Sequence, residues 1–251
     1  MLSSTYRLIK SYERRIRRKL QARDETALPL DMQADAPFVA IADSCRAFTM
    51  TTPERMYALY KAVQYVHGAK IPGDIVECGV WKGGSAMVCA MTLMQLGSTD
   101  RTLWLYDTYE GMAEPSDKDV DFENRDALHT WRTLQKNGHN EWCYSPVEEV
   151  ERNLISTGYP REKIQFVKGK VEETIPAQAP REISILRLDT DWYESTHHEL
   201  VHLYPRLAQG GVLILDDYGT WQGSREATDK YFGETAEKLL LQRIDDSARA
   251  G

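Results

Sequence analysis

The sequence predicts an α/β fold, a doubly wound and mainly parallel sheet with helices on both faces. Three observations carry that reading. From residue 74 onward, short apolar runs of strand length alternate with helix-like stretches. Each run is nearly continuous in apolar residues, as in strands buried on both faces. A glycine-rich turn joins the first run directly to a helix, the junction at which doubly wound sheets bind ligands. The chain has 251 residues, 42% of them hydrophobic and 27% charged, so it can bury one sizeable core.

Taken in order, residues 1–23 hold Arg7, Lys10, Arg14, Arg15, Arg17, Arg18, Lys19 and Arg23 against Glu13 alone. This segment is therefore +7, and the remainder carries −14 of the total of −7. Leu2, Tyr6, Ile9, Ile16 and Leu20 suggest a helix with one apolar stripe and a cationic face, suited to a second subunit or to anionic lipid. Subunit packing is favoured over membrane contact. Residues 24–48 are mixed, with Pro29 and Pro37 expected to interrupt any long element. Thr51-Thr52-Pro53-Glu54 reads as a helix start, with Thr52 as cap and Pro53 in the first turn; Pro72-Gly73 ends that helix.

Five strands are then expected at 74–80, 102–106, 164–167, 183–188 and 212–215. Helices are expected at 85–96, 147–156 and 195–207. After Leu239–Ile244 little chain is left for an antiparallel edge, so that edge is expected to be short or missing. One interval breaks the rhythm: 109–145 is long and polar, with Asp117, Asp119, Asp121, Glu123 and Asp126. At the carboxyl end of a strand, an insertion of that length is expected to be a lid or substrate loop.

Composition excludes several classes. The acidic body repels nucleic-acid backbones. No apolar run reaches the roughly 18–20 residues of a membrane-spanning helix, and no secretory h-region is present, so a cytoplasmic protein is expected. Cys45, Cys78, Cys89 and Cys143 lack C-x-x-C spacing and are expected to be reduced.

Three constellations carry chemistry. The turn Glu77-Cys78-Gly79-Val80-Trp81-Lys82-Gly83-Gly84-Ser85 has E-x-G-x-x-x-G spacing rather than G-x-G-x-x-G. Its glycines admit a ligand close to the backbone, and the following helix terminus offers free N–H groups to an anion. Asp107, ending the second strand, suits ribose hydroxyls. Asp189-Thr190-Asp191 and Asp216-Asp217 end the fourth and fifth strands, consecutive in the chain, so the topology gathers four carboxylates at one sheet edge. Hard oxygen ligands in such a group favour Mg²⁺. His198-Glu199-Leu200-Val201-His202 also fits H-E-x-x-H, the pattern of zinc peptidases. The extended pattern fails at Pro205 and Ala208, and Leu200, Leu203 and Leu207 mark a helix that covers the sheet.

With these residues in view, the chain resembles the macrocin O-methyltransferase family over roughly residues 45–246. The resemblance rests on five collinear motifs: Phe48-Thr49-Met50-Thr51, Val76–Val80 with Gly83-Gly84-Ser85, Tyr106–Met112, Leu188–Thr196 and Leu215–Gly219. It implies a Rossmann-like class I methyltransferase domain over 49–251 behind an N-terminal arm and lead-in, 1–48. It also implies S-adenosylmethionine (SAM) and Mg²⁺ as cofactors, a small-molecule glycoside as partner, and a homo-oligomer. Glu77, Gly79, Gly83 and Ser85 would hold the methionine end, with Thr49 and Met50 closing over it. Asp107 would bind the ribose, and Val171 and Glu172 would flank the adenine. Asp189, Asp216 and Asp217 would be metal ligands. Asp191 would be the base beside Asp189, with His139 or His197 as alternatives. Trp192, Tyr193 and His139, with Trp131 or Trp142, would face the sugar. The expected reaction is methyl transfer to a sugar hydroxyl of a glycosylated natural product or glycolipid. The alternatives are a vicinal phenol as acceptor, a non-catalytic SAM-binding scaffold, and a glycosyltransferase, which explains the acids but not the glycine turn.

Overall fold

The computed structural model describes residues 28–251. The basic N-terminal helix expected within residues 1–23 lies outside the described residues. The chain divides into two units, Met1–Ala36 and Pro37–Gly251. Of the first, the described part is one short helix, α1 (Leu30–Gln33).

The second unit is built on a seven-stranded sheet. Its strands are β1 (Asp74–Cys78), β2 (Leu103–Asp107), β5 (Ile164–Lys168), β6 (Ile183–Leu188), β7 (Leu207–Leu215), β8 (Gln242–Arg243) and β9 (Arg249–Ala250), in the order β5-β2-β1-β6-β7-β9-β8. The first five are parallel, and β9 and β8 close the edge antiparallel. Of the two expectations for that edge, short or missing, the short form is the one observed, with two residues per strand. The order reverses between β1 and β6. Their carboxyl ends therefore splay apart into a crevice, the place where doubly wound sheets bind ligands.

Helices α2 (Ala36–Cys45), α3 (Pro53–Gly68), α4 (Gly84–Gln95) and α6 (Val147–Ile155), with the short α7 (Val171–Thr174), α8 (Tyr193–Leu203) and α9 (Gln222–Glu234), accompany the sheet. Alternation along each strand divides the core. Val76, Cys78, Tyr106, Leu186, Leu188, Leu213 and Leu215 pack with Leu200 and Leu203 of α8 on one face. Ile75, Leu103 and Leu105 meet Leu59 of α3 and Ala86 of α4 on the other. Thr52 caps α3 by accepting the Arg55 N–H, and Pro53 occupies the first turn, as the sequence indicates.

Four local expectations need correction. Pro37 does not interrupt a helix; it lies in the first turn of α2, where its missing N–H costs nothing. The first strand ends at Cys78 rather than residue 80, because Gly79 turns away in the left-handed region (φ +82°). The helix expected through Leu207 stops at Leu203, since Pro205 cannot continue it; Leu207 begins β7 instead. The insertion at 109–145 is also not one continuous loop. It carries α5 (Ala127–Leu134) and a small hairpin, β3 (Gln135–Lys136) with β4 (His139–Asn140). Its acids are largely structural. Asp126 caps α5 through the Leu128 N–H, and buried Asp119 accepts the Ser116 hydroxyl and the Tyr193 N–H that opens α8.

Candidate active site

The carboxyl ends of β1, β6 and β7 meet in a cleft of about 310 Å³. The two inner strand ends are held at backbone contact. A Cβ added to Gly79 would sit 1.9 Å from the Asp189 carbonyl oxygen, so only glycine lets the β1 turn pass the β6 turn. The Asp189 N–H donates to the Cys78 carbonyl at 2.8 Å, and the Asp216 N–H to Leu188 at 2.9 Å, extending the ladder into the loops. The acids are thus placed by the sheet rather than by flexible connections.

Glu77, Asp107, Asp189, Asp191, Asp216 and Asp217 all line this cleft, together with Arg55 and Arg187. Six carboxylates against two guanidiniums leave four negative charges if every acid is ionised. Arg187, 4% exposed at its side chain, bonds Glu77 at 2.6 Å, Asp189 at 2.8 Å and Asp216 at 2.7 Å. Arg55 pairs with the second oxygen of Asp216 and, at 2.6 Å, with Asp245.

The remaining charge shows in the acidities. Burial pushes the Glu77 carboxyl up to about 7 despite Arg187. Asp191 is likewise raised to about 7, by burial and then by the neighbouring Asp189 charge. Burial holds Asp189 and Asp217 well above the usual range, Asp189 against the pull of Arg187 and Asp217 with added repulsion from Asp191. A group that resists ionisation in this way calls for a cation. The geometry offers it one: ligand oxygens of Asp189, Asp216 and Asp217 lie within 4.8 Å of one another, the single such group among the described residues. The donor set is all carboxylate, which fits a hard divalent ion such as Mg²⁺.

A second feature fits a cationic amine. Glu77 is buried and gives Oε1 to Arg187, while its Oε2 has no partner. Glu77 is among the residues that line the cleft, and a buried carboxylate oxygen without a partner is satisfied by an ammonium donor. Beside it, Gly84 and Ser85 open α4 and line the same space, with Thr49, exposed Met50 and Thr51 at its border. A smaller cavity of about 60 Å³ continues past Gly79 and Asp107 to Val171 and Glu172. Asp107 itself receives N–H groups from Val80 at 2.7 Å, Trp81 at 3.1 Å and Tyr109 at 2.7 Å, and so pins the glycine turn.

The structure therefore brings Thr49, Met50, Glu77, Gly79, Ser85, Asp107, Asp189, Asp191, Asp216 and Asp217 to one cleft, with Val171 and Glu172 at its extension. It places others elsewhere. Gly83 does not line the cleft; its left-handed φ of +86° caps α4, and a Cβ there would meet Leu154 of α6 at 2.6 Å. Tyr193 is buried, stacked on His197 with Lys118 over its ring. His139 stacks on Tyr144 beside a separate cavity, so neither His139 nor His197 reaches the acids. Trp192 borders the smaller cavity and donates to the Ala113 carbonyl.

Trp142 and Trp221 line the cleft with the acids instead, each meets Trp192 edge-to-face, and the three ring centroids are 5.0–6.1 Å apart. Trp221, Arg55 and Arg187 all line the cleft, and the sequence motifs do not point to them. Arg187 carries a signal, a cation inside the apolar run Ile185-Leu186-Arg187-Leu188, whereas Arg55 and Trp221 look like ordinary surface residues. The H-E-x-x-H helix is structural. His198 bonds the Ile175 carbonyl at 2.9 Å, and fully buried Glu199 accepts from Thr190.

Comparison with known proteins agrees with this arrangement. The family model described as Macrocin-O-methyltransferase (TylF) matches residues 8–250. The 8-demethyl-8-(2,3-dimethoxy-alpha-L-rhamnosyl)-tetracenomycin-C 4'-O-methyltransferase of Streptomyces olivaceus is 34% identical over 199 residues, 79% of this chain and 73% of that one. The mycinamicin III 3''-O-methyltransferase of Micromonospora griseorubida is 32% identical over 187 residues, 74% of this chain and 70% of that one. Among solved structures, the O-methyltransferase NovP superposes with a TM-score of 0.72 at 30% identity, covering 81% of each chain.

Proposed function

The chain belongs to the macrocin O-methyltransferase family, and from that premise we propose that it moves the methyl group of SAM to a sugar hydroxyl of a glycosylated small molecule with the help of a divalent cation. The observation that carries the cation is the cluster of Asp189, Asp216 and Asp217 within 4.8 Å. The sugar is supported by the relatives, two of which are named for rhamnosyl and mycinamicin acceptors.

Each residue then has a task that its geometry suits. Glu77 Oε2, lacking a partner, accepts the ammonium of the methionine end, while the free N–H groups at the start of α4 receive its carboxylate. Asp107 keeps the glycine turn in place. Of about four lone-pair sites on a carboxylate, three take backbone donors. The fourth lies 3.4 Å from the Thr108 hydroxyl, whose shorter bond is to the Gly111 carbonyl at 2.6 Å; a ribose hydroxyl would take that fourth site. Val171 and Glu172 border the adenine. Asp189, Asp216 and Asp217 would hold the cation, which when bound would lower the pKa of a nearby hydroxyl.

Asp191 stands next to them with its backbone in the left-handed region, φ +67°, a strained setting that fixes its carboxylate toward the cleft. Its acidity near 7 suits a group that accepts the hydroxyl proton near neutral pH. With no histidine lining the cleft among the described residues, proton acceptance falls to a carboxylate. Trp142 and Trp221 offer apolar faces to the C–H surface of a sugar ring.

The test is turnover of SAM with panels of glycosides and of catechols, with and without EDTA. Methylation of a glycoside that EDTA abolishes and Mg²⁺ restores is the expected result, and Asp189→Ala should remove at least about 100-fold of the rate. Turnover of catechols alone would overturn the sugar reading, and EDTA-insensitive turnover the cation.

A further inference from the structure

We propose that Arg55 is a displaceable counter-charge, standing on Asp216 in the absence of a divalent cation and withdrawing to Asp245 when one binds. The proposal rests on the cation reading above. Both carboxylate oxygens of Asp216 are engaged by guanidinium groups, Oδ1 by Arg187 at 2.7 Å and Oδ2 by Arg55. A dication on the same carboxylate repels both.

The two arginines are not equally able to move. Arg187 lies inside β6, is 4% exposed and is divided among three acids. Arg55 reaches in from the first turn of α3, and its side chain is 18% exposed.

Arg55 also has a second acid waiting. Its Nε donates to Asp245 Oδ2 at 2.6 Å, on the turn between β8 and β9. Asp245 is itself fixed: Oδ1 accepts the Ser247 and Ala248 N–H groups at 2.9 and 2.7 Å, and Oδ2 accepts the Thr52 hydroxyl at 2.8 Å. Asp245 does not line the cleft, so a guanidinium held by Asp245 alone has given up its contact with Asp216. Asp245 is thus a positioning residue that acts through Arg55.

Mn²⁺ binding to the full chain, followed by the electron paramagnetic resonance of the free ion, tests this without any turnover. Arg55→Met should bind Mn²⁺ about tenfold tighter than the wild type, one repelling charge having gone. Asp245→Asn should bind it several-fold more weakly, because Arg55 is left on Asp216. In the Arg55→Met background, Asp245→Asn should change little, since its effect runs through the missing guanidinium. Arg55→Lys, which keeps the charge but loses the fork, should fall between wild type and Arg55→Met and carries the test if the methionine variant does not fold. Equal affinities in all variants, or weaker binding by Arg55→Met, would overturn the counter-charge and leave the cation reading intact. Absence of Mn²⁺ binding in every variant at millimolar concentration would overturn both.

Discussion

Glu77 is a side chain that is costly to the fold and that the proposed cofactor site calls for. One oxygen is neutralised by Arg187 and the other has no partner. Replacing it by Gln should lower S-adenosylhomocysteine affinity roughly 10- to 100-fold, the value of a charge-assisted hydrogen bond. The same change should raise the melting temperature of the ligand-free protein at pH 8, where the wild-type carboxylate is ionised in a buried setting, and do so less at pH 5. Calorimetric titration and thermal melts at the two pH values check both halves; unchanged affinity would remove Glu77 from the cofactor site. Gly79 makes a steric counterpart. Gly79→Ala should cost more than about 3 kcal/mol in urea unfolding, because the new methyl meets the Asp189 carbonyl at 1.9 Å. Gly138→Ala, also at positive φ but with nothing within 4 Å, should cost only about 1 kcal/mol. At this scale the acids were readable from the sequence, because each ends an apolar run and strand ends converge in a doubly wound sheet. Trp221 was not, since the turn that aims it depends on β7 and α9 together.

Among the elements, the C-terminal hairpin carries more than its length suggests. β9 pairs with Ile214 and Leu215 of β7, and Gly251 exchanges hydrogen bonds with Leu213. Ser247 donates to the Asp216 carbonyl at 2.7 Å. Deleting residues 244–251 would leave β7 as an unpaired edge of Val, Leu and Ile, so the shortened chain is expected in the aggregated fraction on size-exclusion chromatography. A monodisperse, stably folded product would refute this role. The parallel strands were legible because their apolar runs are continuous. The hairpin was legible only as a shortage of chain, since two-residue strands leave no periodic pattern. The end of α8 was misread because leucine spacing suited a longer helix while Pro205 decided against it.

Across the whole molecule the controlling quantity is charge held against burial. Glu77 and Asp191 have carboxyl acidities near 7 in the fold, above their ordinary values, so the native state binds more protons than the unfolded chain between about pH 4 and 7. Their contribution to stability is complete below that interval and is lost as pH rises through about 7. The ligand-free protein should therefore melt lower at pH 8 than at pH 5. Mg²⁺ should raise the pH 8 value by at least about 3 °C and change the pH 5 value little. Equal increments at both pH values would mean that the ion acts elsewhere.

Trp142, Trp192 and Trp221 come from three separate connections, those after β4, β6 and β7, yet their rings touch. Half of the chain's six indoles thus form one cluster that borders the cleft through Trp142 and Trp221, close enough to pass excitation among themselves before emitting. The intrinsic fluorescence of this protein should consequently be dominated by one spot. A glycoside settling against Trp142 and Trp221 would be recorded optically as quenching or a spectral displacement, without label or turnover.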